Sequence, residues 1–116
     1  MTVPASVTNP TKGHHKIFWD GLGVASSADS GDAVVVPGFS DVTIQVLGTF
    51  AGATITIQGS NDGGTTWATI NDLFGAAMTF TSAGIKGVAE GAERLRPTIT
   101  AGSSSNLDVY AVVRRP

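Results

Sequence analysis

The side chains of this 116-residue chain that could carry chemistry include nine carboxylates, two histidines and a plentiful set of serines, with no cysteine at all. Hydrolysis of a glycosidic bond needs two carboxylates held at a controlled separation. The acids that lie closest in sequence, Asp29/Asp32 and Glu90/Glu93, fall in Ser/Gly/Ala-rich stretches that read as solvated loops. His14 and His15 are adjacent, so on a strand they point to opposite faces and cannot close on one metal. Zinc needs more ligands than these, and no thiolate is available to help. No Gly-x-Ser-x-Gly elbow accompanies a histidine. Gly21-Leu22-Gly23 opens no strand-to-helix transition, so it is no phosphate cradle. Asp29-Ser30-Gly31-Asp32 is too short a string to hold calcium. These residues lead to the expectation of a non-enzymatic protein without cofactor or metal.

The sharpest local motif is Ser60-Asn61-Asp62-Gly63-Gly64-Thr65-Thr66-Trp67. It lies between two strand-like runs and reads as a hairpin connection. Asp62 can accept hydrogen bonds from loop amides, and Gly63 and Gly64 supply positive φ. Trp67 opens the return strand and covers the turn. Ser60, Asp62, Gly64, Thr66 and Trp67 make this string resemble the Asp-box of sialidases and related propellers. In that family the box is a structural hairpin and not the catalytic centre, and one copy cannot make a propeller.

The elements that must position such a turn alternate with a period of two. His15 to Trp19 reads as a first strand, and Ala33 to Val36 as a short one. Val42, Ile44 and Val46 alternate with Thr43 and Gln45. Ile55 and Ile57 alternate with Thr54 and Thr56. Further strands follow at Thr66–Ile70, around Met78 and Phe80, at Ile85–Glu90, around Leu95 to Ile99, and at Leu107–Val113. Eight or nine short strands separated by Gly/Ser/Asn/Asp turns predict an all-β fold, a β-sandwich or jelly roll of about eight antiparallel strands. Pro97 has no amide to donate, which predicts an edge or a bulge for its strand. Residues 1–14, with Pro4, Pro10 and Gly13, read as an extended N-terminal arm, and residues 15–116 as one sandwich domain. Such an arm is either disordered or laid over a neighbour, and it is the candidate for a segment that orders when a partner binds.

Composition restricts the partners. Charged residues make up 14% of the chain, against about 25% in an average domain, so little charge desolvation opposes burial against other chains. The net charge is −2, which gives no basic footprint for nucleic acid. No apolar run approaches the length of a membrane span. The N-terminus has no basic region followed by an apolar one, so no signal peptide is expected and synthesis in the cytoplasm is. Lys12 and Lys16 make the start positive. Phe18 and Trp19 are neighbours, so one of them must point out of a two-faced sheet, and an outward aromatic is a common interface anchor. Lys12, His14, His15, Lys16, Phe18 and Trp19 are therefore the candidate partner-interface residues. Phe50 and Phe74 fall in loops, where the same reasoning applies more weakly.

Asp41 to Phe50, Ala53 to Trp67, Phe80 to Ile85 and Arg94-Leu95-Arg96-Pro97-Thr98-Ile99-Thr100-Ala101-Gly102 resemble a group of small virion proteins of tailed phages, the capsid decoration or cement proteins. The likeness spans about residues 41–113. It consists of Thr/Gly-rich strands, a Ser-Asn-Asp-Gly turn and a late Arg-Pro strand. It implies a β-sandwich or jelly roll on the outer capsid surface, as a homodimer or homotrimer, in contact with the major capsid protein. The family has no active site, so no single residue carries a role across. A tail or baseplate accessory domain, or a carbohydrate-binding module on the virion surface, is the alternative reading.

Overall fold

The computed structural model describes residues 2–8, 14–23, 30–36, 41–89, 92–101 and 105–114. All regular structure among them is β. In chain order the strands are β1 (Thr2–Val3), β2 (Ala5–Thr8), β3 (His14–Leu22), β4 (Ser30–Gly31), β5 (Val34–Val35), β6 (Asp41–Thr49), β7 (Ala53–Ser60), β8 (Ala68–Thr69), β9 (Thr79–Phe80), β10 (Gly84–Gly87), β11 (Arg94–Ala101) and β12 (Asn106–Arg114). They form two sheets packed as a β-sandwich. One has seven strands along β1-β4-β11-β7-β8, with β5 also on β11 and β9 also on β7; the other has five in the order β10-β6-β12-β3-β2. The β1–β4 pair is parallel, and the other described pairs are antiparallel.

Five long strands carry the sandwich because their alternation is clean. In β6 Val42, Ile44 and Val46 are buried; in β7 Ala53, Ile55 and Ile57; in β11 Leu95 and Ile99; in β12 Leu107, Val109, Ala111 and Val113. These side chains meet Ile17, Trp19 and Leu22 of β3 in one cluster between the sheets, with Met78, Phe80 and Ile70 closing it. Each of the Val, Leu, Ile, Phe and Met side chains among them contributes roughly 1.5–3 kcal/mol by leaving water.

Trp19 sits at the centre of the closure. It is 1% exposed, and its Nε1–H donates to the Asp32 carbonyl at 3.0 Å. A Cβ on Gly31 would lie 2.7 Å from the Pro97 ring and closer still to the Trp19 indole. Only glycine lets β4 pass between them. Trp19 is thus a core residue, which corrects its candidacy as a surface anchor. Of the neighbouring pair it is Phe18 that points out, because the inward space of β3 is filled by Ile17, Trp19 and Leu22.

Residues 2–8 of the expected arm pair within the chain's own sheets, and residues 9–13 lie outside the described residues. Val3 is buried, and its carbonyl accepts the Asp32 amide at 2.8 Å. Ala5 to Thr8 pair with Trp19 to Lys16. An unpatterned composition did not prevent this, since an edge strand needs only backbone partners. Pro97 is not at an edge: β11 lies between β7 and the β4/β5 pair. However, the latter side is interrupted at Asp32–Ala33, between the Thr98↔Ser30 and Leu95↔Val34 pairs, where Pro97 has no amide to offer.

Two stability measurements test this closure. Gly31→Ala is expected to destabilise the fold by about 1–3 kcal/mol through overpacking, and Trp19→Ala by about 3–5 kcal/mol through the cavity it leaves. Urea unfolding checks both, and wild-type midpoints would contradict the packing described.

Candidate functional site

The hairpin motif forms as its residue types require. β7 returns as β8, with Gln58 opposite Thr69 and Gly59 opposite Ala68. The buried Ser60 hydroxyl donates to Asp62 Oδ1 at 2.7 Å and accepts the Gly64 amide at 3.0 Å. Asp62 Oδ1 also accepts the amides of Thr65 at 3.1 Å and Thr66 at 2.9 Å. The Thr66 amide first, and then the Ser60 hydroxyl, hold the Asp62 carboxyl at about 2, well below the ordinary 3.8. Gly64 takes φ +92, which only glycine adopts without strain.

Trp67 covers the turn. Its Nε1–H donates to the Gly64 carbonyl at 3.0 Å, and the Arg96 guanidinium lies over its ring at 4.3 Å. Arg96 Nε is held in turn by Gln58 Oε1 at 2.9 Å. Glu93 Oε1 accepts the Gly63 amide at 3.1 Å, and the Glu93 amide donates to Asn61 Oδ1 at 2.8 Å. A shallow groove of about 590 Å³ runs beside the motif, lined among others by Asp62, Thr66, Trp67 and Thr69. The indole N–H is already used and one ring face is already taken by Arg96. The motif is a self-satisfied hairpin that needs no ligand to hold its shape.

The terminal candidates separate. Lys12 lies outside the described residues. His14 begins β3. His15 is half-buried and lines a small apolar cavity of about 280 Å³ with Val7, Ile17, Val34, Val35 and Val113. Lys16 and Phe18 come together on the outer face of the five-stranded sheet. Phe18 stacks on Tyr110 with centroids 4.4 Å apart and planes 15° apart, and Lys16 Nζ lies 5.0 Å from the Tyr110 ring centre. Such a stacked pair contributes about 0.5–1.5 kcal/mol beyond the area it covers. Composition marked Phe18, but only strand register reveals Tyr110 as its neighbour.

The same face ends in an acidic couple. β12 shifts register against β3 between Leu107 and Val109, and Asp108 at that irregularity accepts the Gly21 amide at 3.2 Å. Partial burial pushes the Asp108 carboxyl up, and the hydrogen-bonded Asp20 carboxyl beside it adds to the rise.

A second apolar feature was only weakly marked by sequence. Phe74 is 96% exposed and Leu73 69% exposed, on a loop that is nevertheless tightly braced. The buried Asp72 carboxylate accepts the amides of Phe74 at 2.9 Å and Ala76 at 3.1 Å. The Asp72 amide donates to the Ala76 carbonyl at 2.8 Å, and the Leu73 amide to the Gly87 carbonyl at 3.2 Å. Phe50, by contrast, is half-buried against the core. Among the described residues, no three His, Asp or Glu side chains are grouped to hold a metal ion.

With this geometry in view, comparison with known proteins identifies the fold. No protein-family model matches the sequence, and no curated protein does. Solved structures do match. The SPBc2 prophage-derived protein YomS superposes with a TM-score of 0.63 at 12% identity, over 91% of this chain and 98% of that one. The PBSX exported protein XepA gives 0.67 at 16% identity, over 89% of this chain but only 39% of that one. This chain therefore shares a sandwich fold with two phage-derived proteins and corresponds to less than half of the longer one.

Opposite pH responses follow from the two shifted carboxyls. Asp62 is depressed, so its contribution to stability is present above the ordinary carboxylate range and is lost as pH falls towards about 2. Asp108 is raised, so its contribution is complete below that range and is lost as pH rises through the raised value. Asp62→Asn is expected to lower the melting temperature at neutral pH, with the gap to wild type narrowing in acid. Asp108→Asn is expected to raise it at neutral pH, again with the gap narrowing in acid. Melting curves over a pH series check both signs.

Proposed function

We propose that this chain is a non-enzymatic virion structural protein that binds the outer surface of the mature phage head and stabilises the major capsid protein lattice. The observation that carries the reading is the braced loop at residues 71–77. Phe74 stands almost wholly in water while the Asp72 carboxylate and five backbone amides fix the chain on either side of it. A rigid, presented aromatic loses little freedom when it docks, which is what an interface anchor requires. The sparsely charged exterior and the sandwich fold held in common with phage-derived proteins support the same reading.

The physical work of such a protein is mass action. A domain that binds only the expanded lattice lowers its free energy by the free energy of binding. Copies that each bridge subunits accumulate this effect over a shell. Synthesis in the host cytoplasm followed by addition to the finished head fits this role.

Co-sedimentation with expanded heads stripped of the protein tests the proposal. The wild type is expected to pellet with heads in stoichiometric amount. Phe74→Ser is expected to keep the wild-type melting temperature and to bind at least about tenfold more weakly. Binding to isolated tails instead of heads would establish the tail or baseplate alternative. Binding to a glycan array without affinity for heads would establish a carbohydrate-binding module.

A further inference from the structure

The outer face of the five-stranded sheet has an internal order that a partner surface would have to match. Strand register lays it out in rows. One row runs Ile85, Gln45, Tyr110, Phe18, Ser6 across β10, β6, β12, β3 and β2. The next runs Gly87, Thr43, Val112, Lys16, Thr8. At one end of the strands stand Lys16 and Arg114, with Asp41 beside Arg114; at the other stand Asp20 and Asp108, with Leu47 beside Asp108. Lys16, Asp20 and Arg114 are exposed, and Phe18, Tyr110 and Val112 are half-exposed. Ile85 is 65% exposed. An aromatic and aliphatic band is thus flanked by a basic end and an acidic end.

We propose that this face docks a second copy of the same chain, two-fold and antiparallel, with Asp20 and Asp108 of each copy against Lys16 and Arg114 of the other. Charge complementarity selects this occupant and this arrangement. A two-fold axis lying in the interface and perpendicular to the strands reverses strand direction between the copies, so each acidic end meets a basic end. An axis along the strands would set acid on acid and is repulsive. The same operation lays the Phe18/Tyr110 band of one copy on that of its mate, which is the self-complementarity an isologous contact demands. The acidic couple gains most, because Asp20 and Asp108 lie against each other with no cation of their own chain in contact among the described residues.

Size places the contact among the small interfaces. Five strands about 4.8 Å apart and about six residues of about 3.3 Å each give a face of roughly 500 Å². Two copies then bury about 1,000 Å², at the lower limit for a specific interface. The dimer is accordingly dissociable and weakened by salt, which screens exposed charges over about 10 Å at 0.1 M. The pairing needs only the chain itself, so its test is independent of any capsid.

Sedimentation velocity of the purified full chain over about 1–200 µM at low salt is the test. The wild type is expected to shift from monomer to dimer, and to shift back in about 1 M salt. Lys16→Glu alone and Asp20→Lys alone each set like charges together and are expected to weaken the dimer about tenfold or more. Mixed in equal amounts, the two variants restore opposite charges at both positions, so dimer is expected to return as a heterodimer. Both changes are on exposed side chains, and wild-type circular dichroism verifies that each variant is folded. A monomeric wild type throughout, single variants that dimerise like the wild type, or a mixture that stays monomeric would each overturn the proposal. The first of these outcomes would leave the face to a partner of another kind.

Discussion

The burial of Trp19 determines which way Lys16 to Asp20 of its strand point, up to the irregularity that precedes Leu22. Side chains on an unbroken stretch of strand alternate, so fixing one fixes its neighbours, and a slip of one residue would exchange the two faces. With the indole between the sheets, donating to the Asp32 carbonyl and flanked by Gly31 and Pro97, Ile17 also goes in. Lys16, Phe18 and Asp20 then go out. The ladder to β12 transmits the choice: Phe18 brings Tyr110 outward, and Lys16 brings Val112. The composition of the exposed face follows from one buried ring.

The two sheets consequently present different exteriors. The outward positions of β7 and β11 carry the hydroxyls of Thr54, Thr56, Thr98 and Thr100, together with Gln58 bonded to the Arg96 guanidinium that lies over Trp67. Here the Thr98 hydroxyl already donates to the Thr56 carbonyl at 3.1 Å. The five-stranded sheet instead shows a stacked aromatic pair between charges of opposite sign. An apolar band in a chain with so few charges costs solubility unless it is covered, whereas the threonine-rich face does not. The exposed apolar side chains of the two proposed contact surfaces accordingly lie on the outer face of the five-stranded sheet and on the Phe74 loop.

Much of this was legible in the sequence, and the limits have physical causes. The long strands β6, β7, β11 and β12 announce themselves because strict alternation over eight or nine residues matches the pleat of a strand and no helical spacing. The hairpin at Ser60 to Trp67 was legible because its hydrogen bonds are local: Asp62, Gly64 and Trp67 answer one another within a few residues. The adjacency of Phe18 and Trp19 showed that one must face outward but not which, since the decision rests on Gly31 and Pro97, distant in sequence. β1 and β2 were invisible for a related reason. Their pairing is a matter of backbone groups meeting an available edge, and Thr2 to Thr8 have no pattern of their own. Asp72 resembled any loop aspartate until its burial and its bonds to the Phe74 and Ala76 amides were seen.

The most direct test of this division of faces is a dilution series followed by backbone amide NMR, from about 300 µM to about 10 µM at low salt. If the aromatic band between the charged ends is the contact surface, concentration-dependent shifts will gather at Lys16, Phe18, Asp20, Asp108, Tyr110 and Val112, and the threonine rows of β7 and β11 will stay fixed. Shifts confined to those threonine rows or to the Ser60–Trp67 hairpin, or none anywhere in the series, would contradict the account.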